Sequence, residues 1–166
     1  MAAGATYEPI ATTTANGSVN SITFSSFSGY TDLVLVFLGS VSSGSGDLAL
    51  RFNSDTGSNY STIFLSSQAG GISGTSTSAS SITVTEYTYL DTTRNTLSIT
   101  NIFNYANSNV HKSISTRGNK TGYGVETKIG MWRNTNAITS ITAFSTGSNP
   151  NFTTGSTFTL YGITAA

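Results

Sequence analysis

Hydrophobic and polar residues alternate along most of this chain in the pattern of β-strands. In one short run Leu48, Leu50 and Phe52 fall on one side and Arg51 falls on the other, which is the two-residue period of a strand with one buried face. Clusters rich in Gly, Ser, Asn and Asp separate such runs, as turns do between consecutive antiparallel strands. No stretch sustains the period of about 3.6 residues that marks a helix.

These runs predict about ten short strands, and strand-like sequence begins as early as Tyr7. The predicted strands are 19–24, 33–38, 48–52, 60–65, 82–89, 96–102, 110–116, 123–132, 137–144 and 157–163. The run 33–38 is apolar on both faces and predicts a central, fully covered strand. One face of the strand 123–132 carries Tyr123, Val125, Ile129 and Met131.

The segments between the runs predict turns and surface loops. The segment 53–59 is expected to be a turn in which Gly57 takes a positive φ, with 60–65 as the return strand. The segment 68–81 is almost entirely Gly and small polar residues, which predicts a long surface loop because it has no packed face to contribute. Further connections are expected at 104–109, 117–122 and 145–156.

This spacing of strands is typical of an antiparallel β-sandwich, and the number of strands favours a jelly roll. A chain of 166 residues fits one domain, and no internal repeat or linker is visible. We therefore predict a single β-sandwich domain over 1–166, with 1–6 as an extended N-terminal tail.

Composition narrows the range of partners. Ser and Thr make up roughly a third of the chain, and charged residues are 8% against about 25% in an average domain. Tyr, Phe, Ile, Val and Thr are plentiful, which argues against disorder. The seven basic and seven acidic residues cancel without forming a basic run, so no nucleic-acid partner is expected. A surface dense in small polar residues and poor in charge permits close approach of subunits, as protein shells require.

Three further absences narrow the chemistry and the route of synthesis. The chain contains no Cys, which removes disulfides, thiolate nucleophiles and Cys-ligated metals. The N-terminus lacks the charged and apolar regions of a signal peptide. The longest apolar run, 33–38, is far shorter than the roughly 20 residues that cross a bilayer. We expect synthesis in a cytoplasm without a signal peptide, and no membrane partner.

Candidate catalytic residues are few. His111 is the only histidine, so a Ser-His-acid triad would have to use it. It lies in an alternating segment, opposite in phase to Val110, Lys112 and Ile114. The nucleophile-elbow context is missing, which favours a surface strand residue. The carboxylates lie far apart in sequence, and a glycosidase would need two of them to meet in space. They are Glu8, Asp32, Asp47, Asp55, Glu86, Asp91 and Glu126.

Binding motifs are weak. The Asn-x-Asp-x-Gly-x-Asn pattern at 53–59 loosely resembles a calcium loop, but it lacks the acidic first position and Phe64 replaces the bidentate Glu, so a hairpin turn is favoured. The sequence Gly-Tyr-Gly at 122–124 lacks the Lys and the following helix of a phosphate loop. The side chains of Trp132, Tyr87 and Tyr89 could form a platform for carbohydrate stacking, although packing in the core or on a sheet is the commoner role of such aromatics.

We therefore predict no catalytic, cofactor-binding or metal-binding residue and a non-enzymatic domain. A polysaccharide-degrading domain is the least favoured alternative, because the few carboxylates are scattered through a chain with little charge to orient a substrate.

Several short segments resemble a group of structural proteins from marine and freshwater tailed bacteriophages. They keep the same order and spacing over most of the chain, except for about 66–95. The similar segments are 7–14, 21–24, 30–33, 50–53, 55–60, 131–133, 137–141, 151–152, 155–156 and 160–163.

The resemblance implies a β-rich virion protein that forms homo-oligomers, with a trimer expected, and it implies no catalytic residue. Capsid decoration and tail-fibre roles are both compatible with it. We favour a decoration or cement protein bound to the major capsid protein, because the heptads or repeats of a fibre shaft are missing. The alternative is a tail-fibre or receptor-binding tip that recognises a host surface glycan.

Overall fold

The computed structural model describes residues 6–67 and 72–164. All regular secondary structure within these residues is β-strand. All the pairings between these strands are antiparallel, so the predicted all-β, antiparallel sandwich is confirmed. The strands are β1 Tyr7–Thr14, β2 Ser21–Ser25, β3 Asp32–Gly39, β4 Leu48–Phe52, β5 Tyr60–Ser66, β6 Ile72–Ala79, β7 Ile82–Thr83, β8 Thr96–Ile102, β9 Lys112–Lys120, β10 Gly124–Trp132, β11 Ser140–Ser145 and β12 Thr157–Ile163.

The strands form two sheets that share one core. The larger sheet has eight strands in the order β1-β12-β3-β8-β9-β10-β5-β6, and the smaller sheet has four in the order β2-β11-β4-β7. Strands β8 and β12 alternate strictly between buried and half-buried residues, because one of their faces is turned toward the core.

The jelly roll stays a prediction, which the strand order supports. Without β5, β6, β9 and β10, the two sheets are β1-β12-β3-β8 and β2-β11-β4-β7. Along the chain these eight strands alternate between the two sheets except at β4 and β7, which follow one another in the smaller sheet. Eight strands in two sheets is the jelly-roll number. The pairs β5-β6 and β9-β10 lengthen the larger sheet on the β8 side.

Aromatic side chains fill the core between the sheets. Phe37, Phe152 and Phe158 are fully buried, with ring centroids 4.8 to 5.9 Å apart. At the other end of the core Trp132 stacks on Tyr60, with their centroids 6.3 Å apart. Full burial of one large apolar side chain stabilises a fold by about 1.5–3 kcal/mol, so these rings are principal contributors to the joining of the two sheets.

The predicted loop 68–81 is wrong over most of its length. Residues Ile72–Ala79 form β6, which pairs with β5 at the edge of the larger sheet, whereas 68–71 lie outside the described residues. The ladder hydrogen bonds of a strand come from the backbone, so a run of Ser, Thr and Gly can pair with a neighbour although it offers no packed face.

The predicted strand 82–89 is also wrong beyond its first two residues. Only Ile82–Thr83 pairs, with β4, and the segment 84–91 that follows is irregular apart from a single bridge between Leu90 and Gly46. Its backbone N–H groups at 86–88 bind a side chain instead of a neighbouring strand. Alternation in sequence does not reveal that choice of partner.

Two predicted turns differ from the observed ones. The segment 53–59 is no hairpin, because it joins β4 in the smaller sheet to β5 in the larger one. The positive φ angles fall on Asn53 and Ser54 rather than on Gly57. The predicted turn 117–122 is mostly strand, since β9 continues to Lys120.

The run 33–38 is only partly covered. Leu33, Leu35 and Phe37 are buried in the core and Val34 is buried on the other face, but Leu38 is 46% exposed. Strand β3 is therefore central in the sheet but is not fully covered on both faces.

Candidate functional site

Charged side chains of β9 and β10 lie on the inner face of the larger sheet. Lys120, Glu126 and Lys128 are each at most 5% exposed, whereas Val125 and Ile129, which alternate with them along β10, are 57% and 53% exposed. The usual arrangement of a half-buried strand is therefore inverted here. The irregular segment 84–91 contacts these charges and supplies most of their partners.

Glu126 holds the segment 84–91 against the sheet. Its carboxylate accepts hydrogen bonds from the backbone N–H groups of Glu86, Tyr87 and Thr88, at 3.0, 3.0 and 3.3 Å, and from the Thr88 hydroxyl. A buried charge is tolerated only when such partners replace water. Gly118 provides the room, because a Cβ there would lie 3.1 Å from the Thr88 hydroxyl oxygen.

Three carboxylates and one lysine meet beside this contact. Lys128 Nζ lies 2.8 Å from Glu86 Oε2. Burial raises the pKa of Asp47 to about 6; the attraction of Lys128 opposes this shift, and the nearby carboxylates of Glu86 and Glu126 add to it. Sequence separation concealed this cluster, which brings Asp47, Glu86 and Glu126 within electrostatic reach of one another.

A half-exposed aromatic cluster adjoins the carboxylates. The ring of Tyr123 lies 5.2 Å from that of Tyr87 and 5.7 Å from that of Tyr89, centroid to centroid. Lys120 Nζ lies 3.4 Å from the centroid of Tyr89 and 2.6 Å from Asp91 Oδ2. This combination of a cation–π contact and an ion pair fixes the tyrosines in place.

Asp91 and Gly124 complete the aromatic cluster. Burial would raise the pKa of Asp91, but Lys120 and the N–H groups of Thr93 and Arg94 hold it well below its usual value. A Cβ on Gly124 would lie only 2.4 Å from the Tyr87 ring, so a residue without a side chain is needed there. The aromatic cluster thus depends on both charge pairing and close backbone packing.

An open depression lies where the carboxylates meet the tyrosines. It is lined by Ser45, Gly46, Asp47, Glu86, Tyr89, Thr146 and Gly147. Tyr89 offers a ring on which a sugar could stack, and Asp47 and Glu86 can accept hydrogen bonds from hydroxyl groups. Hydrolysis of a glycosidic bond needs two available carboxyl groups, but Glu86 is paired with Lys128 and Glu126 is held by four donors. The arrangement fits binding better than hydrolysis.

The other candidate catalytic residues lie apart from this cluster. His111 is exposed, as expected, and immediately precedes β9 rather than lying within it. Its neighbour Lys112 is fully buried and donates hydrogen bonds to the carbonyl groups of Asn107, Val110 and Thr135 at 2.6 to 2.9 Å. Burial lowers the pKa of Lys112. This lysine acts as a structural cap for loop carbonyls.

The calcium-like segment 53–59 is a structural joint. The carboxylate of Asp55 accepts hydrogen bonds from the N–H of Gly57, from the amide of Asn59 and from Trp132 Nε1, at 2.8, 2.9 and 2.7 Å. Burial favours a higher pKa for Asp55, but these bonds outweigh it and lower the pKa. Both carboxylate oxygens are therefore occupied by protein donors.

The three aromatic residues considered for a stacking platform do not lie together. Tyr87 and Tyr89 do lie together and partly exposed, with Tyr123 rather than Trp132 between them. Trp132 is 1% exposed and packs in the core. The sequence Gly-Tyr-Gly at 122–124 matters because it places Tyr123 in this cluster at the turn before β10.

The outer face of the larger sheet, which is turned away from the core, carries two apolar strips with a polar strip between them. The first apolar strip, on β3 and β8, consists of Val36, Leu38, Leu97 and Ile99. The polar strip, on β9, consists of Ser113, Ser115, Arg117 and Asn119. The second apolar strip, on β10 and β5, consists of Ile63, Leu65, Val125, Ile129 and Met131.

Sequence reasoning missed both the buried charges and the apolar outer face. The face shared by Val125, Ile129 and Met131 was identified correctly, but it is the exposed face. The opposite phase of β10 holds Gly130 and Trp132 together with two charges. In the sequence, the glycine and the tryptophan that share a phase with the two charges were the available sign that this phase is buried. In the structure Gly130 packs closely there, because a Cβ on it would lie 3.2 Å from Ile82.

Comparison with known proteins gives no relative for this chain. No protein-family model, no curated protein and no solved structure matches it. Within residues 6–67 and 72–164 no group of three or more His, Asp or Glu side chains is arranged to hold a metal ion. The same residues contain no helix that is long and apolar enough to cross a membrane.

Proposed function

We propose that this protein is a non-enzymatic structural component of a tailed-phage virion, located on the capsid surface as a decoration protein. The observation that carries the proposal is the apolar outer face of the larger sheet, with Val125, Ile129 and Leu65 each about half exposed. Apolar patches of this kind mark surfaces that another protein covers. The resemblance of the sequence to phage structural proteins supports the virion assignment.

The state of the buried charges also supports a structural role. Glu126 and Lys112 are buried and saturated by hydrogen bonds, and Lys120 is paired with Asp91. Groups bound in this way stabilise loops and are poorly placed to exchange protons with a substrate. An activity screen against host polysaccharides should therefore find no turnover. Turnover that disappears in Asp47→Asn but persists in Glu8→Gln, an exposed control on β1, would refute the non-enzymatic assignment.

The position on the virion is tested by counting copies. Quantitative mass spectrometry of purified virions, normalised to the major capsid protein, should give hundreds of copies for a decoration protein. A count that matches a known tail-tip protein would move the chain to the tail. Absence from purified virions would refute the whole proposal.

A glycan-recognising tip is the second candidate, and the depression beside Tyr89 favours it. A stacking ring next to Asp47 and Glu86 has the chemistry of a weak sugar site. Binding to a panel of host surface glycans would support this function if Tyr89→Ala abolished it. Tyr7→Ala, an exposed tyrosine on the edge strand β1, is the matched control and should leave binding unchanged.

A further inference from the structure

The outer face of the larger sheet departs from what a free sandwich presents to water. An antiparallel sheet with one solvated face normally alternates apolar residues inward and polar residues outward. In β10 the outward residues Val125, Ile129 and Met131 are apolar and the inward ones include Glu126 and Lys128. The inward charges are satisfied, whereas the outward apolar side chains lack a covering layer in the isolated chain.

The edges of this sheet are poorly suited to pairing with another chain. At one edge β1 carries Pro9, which lacks an N–H, and its register with β12 shifts between Pro9 and Ala11. At the other edge the register between β5 and β6 shifts twice. Proline and bulges are the devices by which proteins prevent edge-to-edge association. Contact through the face is therefore favoured over contact through an edge.

The order of the strips is symmetric about β9. An apolar strip lies on each side of the polar strip, so a second copy turned face to face through a two-fold axis near β9 places apolar residues on apolar residues and polar on polar. An isologous interface requires this self-complementarity. We infer that the outer face of the larger sheet is the contact between two copies of this chain, related by a two-fold axis close to Ser115.

The size of the face agrees with such a contact. Eight strands about 4.8 Å apart, each about seven residues long at about 3.3 Å per residue, give a face of roughly 800–900 Å². A stable interface buries about 800 Å² on each partner. The five strands from β3 to β5 that carry the three strips supply more than half of this area.

The charges of the face also permit self-association. Among the described strand residues that point outward on this sheet, the charged ones are Arg117 on β9 and Asp32 at the start of β3. They have opposite signs, so two copies meet without a net like charge. A partner with a strongly charged surface would find little to pair with here.

This inference rests on the proposed structural function and specifies its assembly. A two-fold pair predicts dimers or even-numbered oligomers, in contrast to the trimer implied by the family resemblance. A three-fold assembly needs two different contact surfaces on each subunit, which the symmetric order of the strips does not favour.

The oligomeric state tests the inference directly. Sedimentation velocity from about 0.1 to 100 µM should show a dimer that dissociates on dilution. Ile129→Lys, in the second apolar strip, should raise the dimer dissociation constant by about 100-fold. Val110→Lys is the matched control, because Val110 is 44% exposed but lies outside the strips. Both variants should retain the far-ultraviolet circular dichroism of the parent, since neither side chain is buried.

Cysteine cross-linking locates the axis. The chain has no Cys, so Ser115→Cys is the single thiol of its variant, and a short bismaleimide should join two copies. Ser21→Cys, exposed on β2 of the smaller sheet, should not cross-link. A monomer at every concentration, or a dimer indifferent to Ile129→Lys, would overturn the inference.

Failure of this inference can be told apart from failure of the proposed function. A monomer that loses virion attachment through Ile129→Lys would mean that another virion protein covers the face, so the second copy is wrong while the virion role stands. A dimer that cross-links through Ser115→Cys but is missing from virions would mean that the contact between two copies is right and the virion role is wrong.

Discussion

Asp47 occupies a position that disfavours the ionised form of its side chain. Burial raises its pKa to about 6, and the nearby carboxylates Glu86 and Glu126 add to the shift although Lys128 opposes it. Since this pKa is higher in the folded chain than the ordinary value of 3.8, the folded state binds the extra proton. The free energy of unfolding should therefore fall as pH rises from about 4 to about 6 at this site.

The substitution Asp47→Asn should remove this penalty at neutral pH. Because the site is partly open to solvent, we expect a gain of about 1 kcal/mol, or a Tm about 3 °C higher at pH 7.5. The difference should vanish below about pH 4, where the parent carboxyl is protonated. Thermal unfolding of both proteins from pH 3.5 to 8 measures it. Glu8→Asn, at an exposed position on β1, is the control, and a constant difference across this pH range would contradict the argument.

At this scale the sequence predicted little of the candidate site. It named Tyr87 and Tyr89 among three candidates for one aromatic surface, but not their partner Tyr123, which follows a tight turn. It could not bring together Asp47, Glu86 and Glu126, because their meeting depends on an irregular segment crossing the sheet. Contacts between residues far apart in sequence leave no trace in local periodicity.

Among the elements, the segment 84–91 depends most on a single side chain. Three successive N–H groups, those of Glu86, Tyr87 and Thr88, point to the carboxylate of Glu126. This carboxylate accepts the backbone hydrogen bonds that a neighbouring strand would otherwise accept. It thereby fixes the segment whose next residue, Tyr89, lines the depression.

The substitution Glu126→Gln should loosen this segment. A neutral amide presents an N–H₂ group to donors, so at least one backbone N–H loses its acceptor inside the protein. We expect a loss of about 2–3 kcal/mol in the free energy of unfolding. Hydrogen exchange should accelerate at the amides of 86–88 and remain unchanged in β12. Equal acceleration in both places would indicate global destabilisation and contradict the specific role of Glu126.

An element could be predicted from the sequence when its backbone hydrogen bonds go to a neighbouring strand and its residues also alternate. Strands β8 and β12 were predicted with their observed bounds, because alternation and backbone pairing coincide there. The edge strand β6 was missed, because it pairs through its backbone with few apolar residues. The predicted strand 82–89 failed for the converse reason, since its alternating sequence is bound by a side chain instead of a ladder.

For the whole molecule, the first strand, β1, pairs with the last strand, β12, and forms one edge of the larger sheet. The ladder runs from Tyr7 opposite Ile163 to Thr14 opposite Thr157. This arrangement leaves β1, with its proline and its bulge, as the edge, and keeps the regular strand β12 inside the sheet. The overall class of fold could be predicted from alternation alone, whereas this pairing joins residues too distant for any local pattern to specify.

Removing residues 1–14 should therefore make the protein aggregate, whether the parent is a monomer or a dimer. Strand β12, whose Phe158 and Leu160 are fully buried, would become an edge with a row of unpaired N–H and C=O groups. We expect Tm to fall by about 10 °C, since a ladder of several hydrogen bonds at about 1 kcal/mol each is lost. Light scattering should rise with time at micromolar concentration. A chain lacking only 1–5 is the control and should behave as the parent. A soluble truncation that does not associate would refute this role of β1. Because Pro9 protects the edge, Pro9→Ala should keep most of the stability of the parent and yet associate slowly.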